Sequence, residues 1–179
     1  MKILHTRKQL LAFFMPGFLI GILYVNLIAK QYASGPGIFS DYFLNQYSTL
    51  NVVAEEYVWY LLQIRLFPFL ALLGLAFTKI RKVSAVAFLV WTGFSCGLLL
   101  SMAVLSLGIK GSLLCIVGIL PQFFLYIPAY LIVIWYSYTY PVNRWNGQKT
   151  AFVSSAMILG ILLEVYVNPI LVKGIVKIL

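Results

Sequence analysis

Residues 83–107, VSAVAFLVWTGFSCGLLLSMAVLSL, run for 25 positions without a charged side chain. A helix rises about 1.5 Å per residue, so roughly 20 apolar residues cross the hydrocarbon of a bilayer. The stretch predicts a tilted transmembrane helix. Lys79, Arg81 and Lys82 precede it, and Gly108-Ile109-Lys110-Gly111-Ser112 follows as a tight turn. Around this run, 63% of the 179 residues are hydrophobic and only 9% are charged. One aqueous core of this length could not hide so much apolar surface, because small domains leave a large share of it exposed. Lipid is therefore the expected solvent, which excludes a water-soluble enzyme, a disordered tail and a DNA-binding domain.

The remaining spans follow from the same arithmetic. Residues 10–29 lie between Arg7-Lys8 and Lys30 and are too long for a signal-peptide core of about 7–15 residues, so a retained first helix is expected. Residues 65–80 give a short second span that needs a borrowed turn or a locally thinned bilayer. Residues 83–107 are the third span. The fourth, 113–140, is interrupted by Pro121 and Pro128, and the fifth, 151–170, is kinked or ended at Asn168-Pro169. The polar segment 31–64 holds the breaker Ser34-Gly35-Pro36-Gly37 and then a helical pattern of Val52, Tyr57, Tyr60, Leu61 and Ile64. Mixed with Glu55, Glu56, Gln63 and Arg65, that pattern predicts an amphipathic helix at the interface or tucked against the bundle. The fold expected is one all-α integral membrane domain over residues 1–179, a polytopic helix bundle. Five spans fit best, and six would place Lys173 and Lys177 on the other side.

Thirteen Lys/Arg against four acids give a net charge of +9. Most of these cations flank apolar runs, as the positive-inside bias requires, so the charge reports topology and lipid contact and not nucleic acid. With the N-terminus cytoplasmic, Lys2, Arg7, Lys8, Lys79, Arg81, Lys82, Arg144 and Lys149 fall inside, and Lys30, Lys110, Lys173 and Lys177 outside. Tyr24, Tyr32, Trp59, Tyr138, Tyr140 and Trp145 sit near span ends as interfacial belts. Cys96 and Cys115 share no metal-ligand spacing and read as buried free thiols.

Few residues could carry chemistry. Gly93-Phe94-Ser95-Cys96-Gly97 matches a nucleophile-elbow pattern, which requires a strand-to-helix turn, a His and an acid. Here it lies inside an apolar helical run, and the only His is His5. Gly93, Gly97 and Ser101 are better explained as a small-residue stripe that lets another backbone approach, and Gly17 with Gly21 repeats the device. Pairing of those two faces is one arrangement the stripes allow. Glu55-Glu56 resembles the diacid of intramembrane CAAX-type proteases, yet Tyr60 stands where an Arg belongs, and a solvated helix face explains the pair. Glu164 lies well inside the last span, where a lone carboxylate costs a few kcal/mol, so it should face the bundle or a wet cavity, or be protonated. Asn168 is one turn away, and Arg65 is the one opposite charge expected at membrane depth. Gln122 sits in the Pro-broken fourth span, the kind of interruption that marks binding sites in transporters as well as simple kinks. No nucleotide loop, metal-ligand cluster or cofactor box is present, so no cofactor and no enzymatic activity are expected.

At Arg65-Leu66, Gly93-Phe94-Ser95-Cys96-Gly97, Gly108-Ile109-Lys110-Gly111 and Pro121-Gln122-Phe123-Phe124-Leu125-Tyr126-Ile127-Pro128, the chain resembles the stage II sporulation protein M family. The resemblance covers roughly residues 10–140. Where many members carry a His-Gly and a following Glu, this chain has Pro121-Gln122 and no acid. The resemblance implies a multi-pass cell-membrane protein of a spore-forming Gram-positive bacterium. It also implies a role in engulfment, as an anchor for peptidoglycan-degrading partners at the septal membrane.

Two functional expectations follow. One is a non-enzymatic scaffold for cell-wall-remodelling proteins, docking them on segment 31–64 through Tyr42, Phe43, Tyr47, Tyr57 and Trp59. The other is a membrane subunit of a small-molecule or ABC-type transporter, with Glu164, Gln122 and the broken fourth helix at its site. A homo-oligomer is compatible with either.

Overall fold

The computed structural model describes residues 2–28, 44, 46 and 54–177, and at residues 2–8, 54 and 55 the backbone alone. The fold is all-α. Its elements are α1 (Lys2–Leu27), α2 (Ala54–Leu61), a π-helical turn (Leu62–Leu66), α3 (Phe67–Ala76), α4 (Arg81–Leu107), α5 (Ile109–Thr139), α6 (Gly147–Tyr166) and α7 (Asn168–Val176). Five helical stretches are long and apolar enough to cross a membrane: Gln9–Leu27, Glu56–Ala76, Arg81–Leu107, Ile109–Thr139 and Gly147–Val176. The chain is a multi-pass membrane protein.

The second span corrects the boundary expected from the apolar run. It begins at Glu56 and not at residue 65, because α2, the π turn and α3 form one uninterrupted helical rod. The amphipathic stretch is thus the first part of the span, which removes any need for a thinned bilayer. Pro68 accounts for the π turn. It has no N–H for the carbonyl of Ile64 and its ring crowds that oxygen, so the ladder widens over Leu62–Leu66 instead of breaking.

The fourth span also departs from expectation. Pro121 and Pro128 lie inside α5, which is continuous from Ile109 to Thr139. Each proline removes one donor, whereas ending the helix in hydrocarbon would strand several backbone groups. The last span is interrupted at Val167, between α6 and α7 and just before Asn168-Pro169, where the sequence places a kink or an end. The predicted five-residue turn at 108–112 shrinks to one residue. Gly108 adopts φ +61° and its N–H closes on the Val104 carbonyl at 2.8 Å, while α5 already starts at Ile109. A left-handed residue at a helix C-terminus is the place where glycine has no steric cost.

Two compact units make up the chain. The first comprises residues 1–50, 86–117 and 172–179, and the second residues 51–85 and 118–171. In the first, α1 and α4 cross through their glycine stripes, each presenting glycines to the other's backbone. A Cβ at Gly17 would overlap the Val90 carbonyl oxygen, and one at Gly21 that of Phe94. Reciprocally, Gly93 faces the Phe14 carbonyl and Gly97 that of Phe18. Dispersion between closely approached backbones holds such a crossing. Ser101, the third member of the stripe, is half-buried. The next close approach belongs to Gly111, whose Cβ would strike the Ala103 carbonyl. Tyr24 packs edge-on against Phe94 at 5.8 Å.

In the second unit, α2 and the π turn pack on α6. Phe69, Leu72, Ala76, Val133, Ile134, Val153 and Met157 are buried in its core. Hydroxyls on the helices bond back to their own carbonyls, Ser137 to Val133 at 2.9 Å and Thr139 to Trp135 at 2.7 Å. That leaves neither hydroxyl unsatisfied in a dry setting.

Gly93→Leu forces α1 and α4 apart and is expected to cost about 1–3 kcal/mol. Gly74→Leu, where nothing lies within 4 Å of an added Cβ, should be close to neutral. Equilibrium unfolding in mixed micelles reads both.

Candidate functional site

Arg65 is the penultimate residue of the π turn, and Glu164 lies near the end of α6. Glu164 is only 3% exposed. The Arg65 Nε–H donates to both carboxylate oxygens, at 3.1 Å to Oε1 and 3.0 Å to Oε2, and Nη2 donates to Oε1 as well. Arginine's planar fork makes this shared contact, which a lysine ammonium could not copy. The wider π turn shifts the register of the helix at the residue that has to reach α6.

Tyr126 of α5 completes the cluster. Its hydroxyl donates to Glu164 Oε2 at 2.9 Å, while the Arg65 guanidinium lies 5.7 Å from its ring centroid. One side chain therefore touches both members of the ion pair. The ring occupies the space of a missing side chain, since a Cβ at Gly160 would lie 2.8 Å from Tyr126 Cδ1 and closer still to Cε1. Gly160 is one turn before Glu164, so the same face of α6 supplies both the notch and the acceptor. One turn further along α5, the Tyr130 hydroxyl donates to the Arg65 carbonyl at 3.5 Å and its ring meets Phe69 edge-on at 5.3 Å.

Gln122 is one turn before Tyr126 and 2% exposed. Its amide N–H donates to the Gly118 carbonyl at 2.6 Å, but its Oε1 is buried without a partner. Asn168 Oδ1 is in the same condition. Because α5 and α6 run antiparallel through the short 140–146 connection and meet at Tyr126 and Glu164, stepping back a turn on α5 and on a turn past α6 leads the same way. Gln122 and Asn168 are thus set one layer beyond the ion pair.

Of the intramembrane polar residues expected from sequence, Arg65 and Glu164 meet directly, and Gln122 and Asn168 occupy the adjoining layer. Tyr126, Tyr130 and Gly160 were not singled out for this role. The available signal was the i, i+4, i+8 spacing of Gln122, Tyr126 and Tyr130, together with a glycine one turn before a buried acid. Tyr57 and Trp59 fall in the second span, Tyr57 half-buried and Trp59 64% exposed. Tyr42, Phe43 and Tyr47 lie outside the described residues. Ser95 sits mid-helix in α4 and not at a strand-to-helix elbow. Cys115 is buried as expected, whereas Cys96 is exposed. Among the described residues, no three His, Cys, Asp or Glu side chains converge as metal ligands.

Comparison of the chain with family models, curated proteins and solved structures returned no match.

Arg65→Met leaves Glu164 buried without its counter-charge and is expected to cost about 3–5 kcal/mol. Tyr126→Phe should cost about 2 kcal/mol, the worth of a hydrogen bond to a charged group. The double variant Arg65→Met/Glu164→Leu should recover most of the first loss. A double-mutant cycle in mixed micelles checks this, and strict additivity would dissolve the pairing.

Proposed function

We propose that this chain is a non-enzymatic membrane scaffold that anchors cell-wall-remodelling proteins at the cell membrane, the role implied by its resemblance to the stage II sporulation protein M family. The supporting observation is the use to which its membrane-depth charges are put. Arg65 and Glu164 neutralise each other and, with Tyr126, tie the second, fourth and fifth spans of one unit together. A support that must hold its shape under load from a bound partner benefits from such cross-linking.

The docking surface we propose is the part of segment 31–64 that precedes the second span, together with Tyr57 and Trp59 in the first turn of that span. Trp59 is available to a partner or to the headgroup layer. We further propose a cytoplasmic N-terminus, supported by the eight-to-four distribution of cations between the two sides.

A second reading, as a membrane subunit of a transporter, is favoured by the two orphaned acceptors Gln122 Oε1 and Asn168 Oδ1. Buried acceptors in hydrocarbon are costly, and a solute that donates hydrogen bonds would satisfy them.

The readings separate experimentally. Under the scaffold reading, the affinity-purified chain carries peptidoglycan-hydrolase activity, seen by zymography, and Tyr57→Ala/Trp59→Ala lowers the recovered activity about tenfold without reducing membrane insertion. In the same reading Gln122→Leu removes an unpaired acceptor and leaves thermal stability unchanged or raised. Under the transport reading Gln122→Leu abolishes binding of the solute and Tyr57→Ala/Trp59→Ala is silent.

A further inference from the structure

Five cations separated in sequence are gathered at one end of the second unit. Lys79, Arg81 and Lys82 lie in and just after the turn between α3 and α4, and Arg144 and Lys149 flank the start of α6. Aromatic contacts join the two segments. Phe77 lies 5.5 Å from the Tyr136 ring and 5.7 Å from that of Trp145, and Tyr136 and Trp145 are 5.2 Å apart. The Arg81 guanidinium stacks 3.7 Å over Tyr140. Lys149 Nζ donates to Asn143 Oδ1 and to the Arg144 carbonyl, each at 2.6 Å, which fixes the connection. Lys79, Lys82 and Arg144 are exposed.

The placement is electrostatically one-sided. Helix N-termini carry partial positive charge and favour acids in their first turn. The first turns of α4 and α6 contain no acid, and Arg81, Lys82 and Lys149 stand there instead. Glu56 opens the second span, at its opposite end from Lys79, and Glu164 is engaged with Arg65. Two helix N-termini and five cations therefore share one face with no described carboxylate to offset them.

The surroundings select the anion. This face is the end of membrane-spanning helices, and Trp145 and Tyr140 provide the amphipathic rings that settle at headgroup level. Beside the cations, Phe77, Ile80 and Val83 are exposed apolar side chains that an acyl chain can cover. We propose that the turn at 77–82 and the connection at 140–149 form a binding site for the phosphate headgroup of an anionic phospholipid. Clusters of Lys and Arg at the ends of spans bind such headgroups by Coulomb attraction and hydrogen bonding. The N–H groups at the start of α6, beyond the Asn146 cap, add donors of the kind that hold phosphate.

The test uses the delipidated full chain in detergent, titrated with phosphatidylglycerol or phosphatidylcholine and read by native mass spectrometry and thermal shift. Phosphatidylglycerol should bind at least tenfold more tightly than phosphatidylcholine, and less tightly as salt rises. Lys79→Gln/Lys82→Gln/Arg144→Gln should weaken phosphatidylglycerol at least tenfold. Lys110→Gln/Lys173→Gln/Lys177→Gln removes the same charge elsewhere and should retain binding. Equal binding of the two lipids, or equal loss in both triple variants, would overturn the site. Reproduction of the thermal shift by millimolar inorganic phosphate alone would overturn its assignment to a lipid.

Discussion

A charge in hydrocarbon has to be cancelled by another charge within reach, and much of the second unit is arranged around that requirement. Glu164 is buried near the end of α6, so a cation must be delivered to it from another helix. Pro68 opens the ladder of the second span into a π turn, and Arg65 lies in the turn so formed. Gly160 leaves space for the Tyr126 ring, which lets its hydroxyl reach the carboxylate while its face meets the guanidinium. Lysine at 65, or any side chain at 160, would leave part of this set without a partner. Three spans are therefore fixed in azimuth and in depth by one neutral cluster, because slippage of any of them exposes an ion to lipid.

The first unit is held by different physics. Its α1 and α4 meet through glycines on both sides, backbone against backbone, with no charge in the contact. Apolar side chains gain nothing by leaving lipid for another apolar surface, so close approach and dispersion have to supply the cohesion. Such a contact is sensitive to volume and indifferent to pH or salt. The ion-pair cluster depends on charge as well as on space: it fails when a charge is removed, and at Gly160 it is sensitive to volume too.

Much of this was legible in the sequence. The span count follows from hydropathy, the glycine stripes at Gly17/Gly21 and Gly93/Gly97 follow from helical period, and Arg65 is the opposite charge that the sequence offers Glu164; that the two stripes face each other is given by the structure. Three features did not. Glu55, Glu56 and Gln63 lower local hydropathy and move the apparent start of the second span to residue 65, yet a rod can carry polar residues at its end and an ion pair at its middle. Pro121 and Pro128 suggest a break in α5 that the structure does not contain, because lipid penalises a broken helix more than a missing donor. The role of Tyr126 depends on a register between α5 and α6 that no single-helix pattern encodes. Most of the proposed docking segment, with Tyr42, Phe43 and Tyr47, lies outside the described residues.

The charge distribution carries the argument outward from the fold. Among the described residues, Arg65 is paired with Glu164, one of only four acids in the chain. The remaining cations greatly outnumber the remaining acids, and five of them are collected where the first turns of two helices also lack acids. That arrangement adds repulsion to the isolated chain, since like charges and aligned peptide dipoles face one another. Such a face makes physical sense when the counter-charge belongs to the solvent, and for this chain the solvent at a span end is a layer of headgroups. Lipid then enters the structure twice, as the medium that enforces the Arg65–Glu164 pair and as the source of the anions that the cationic face lacks.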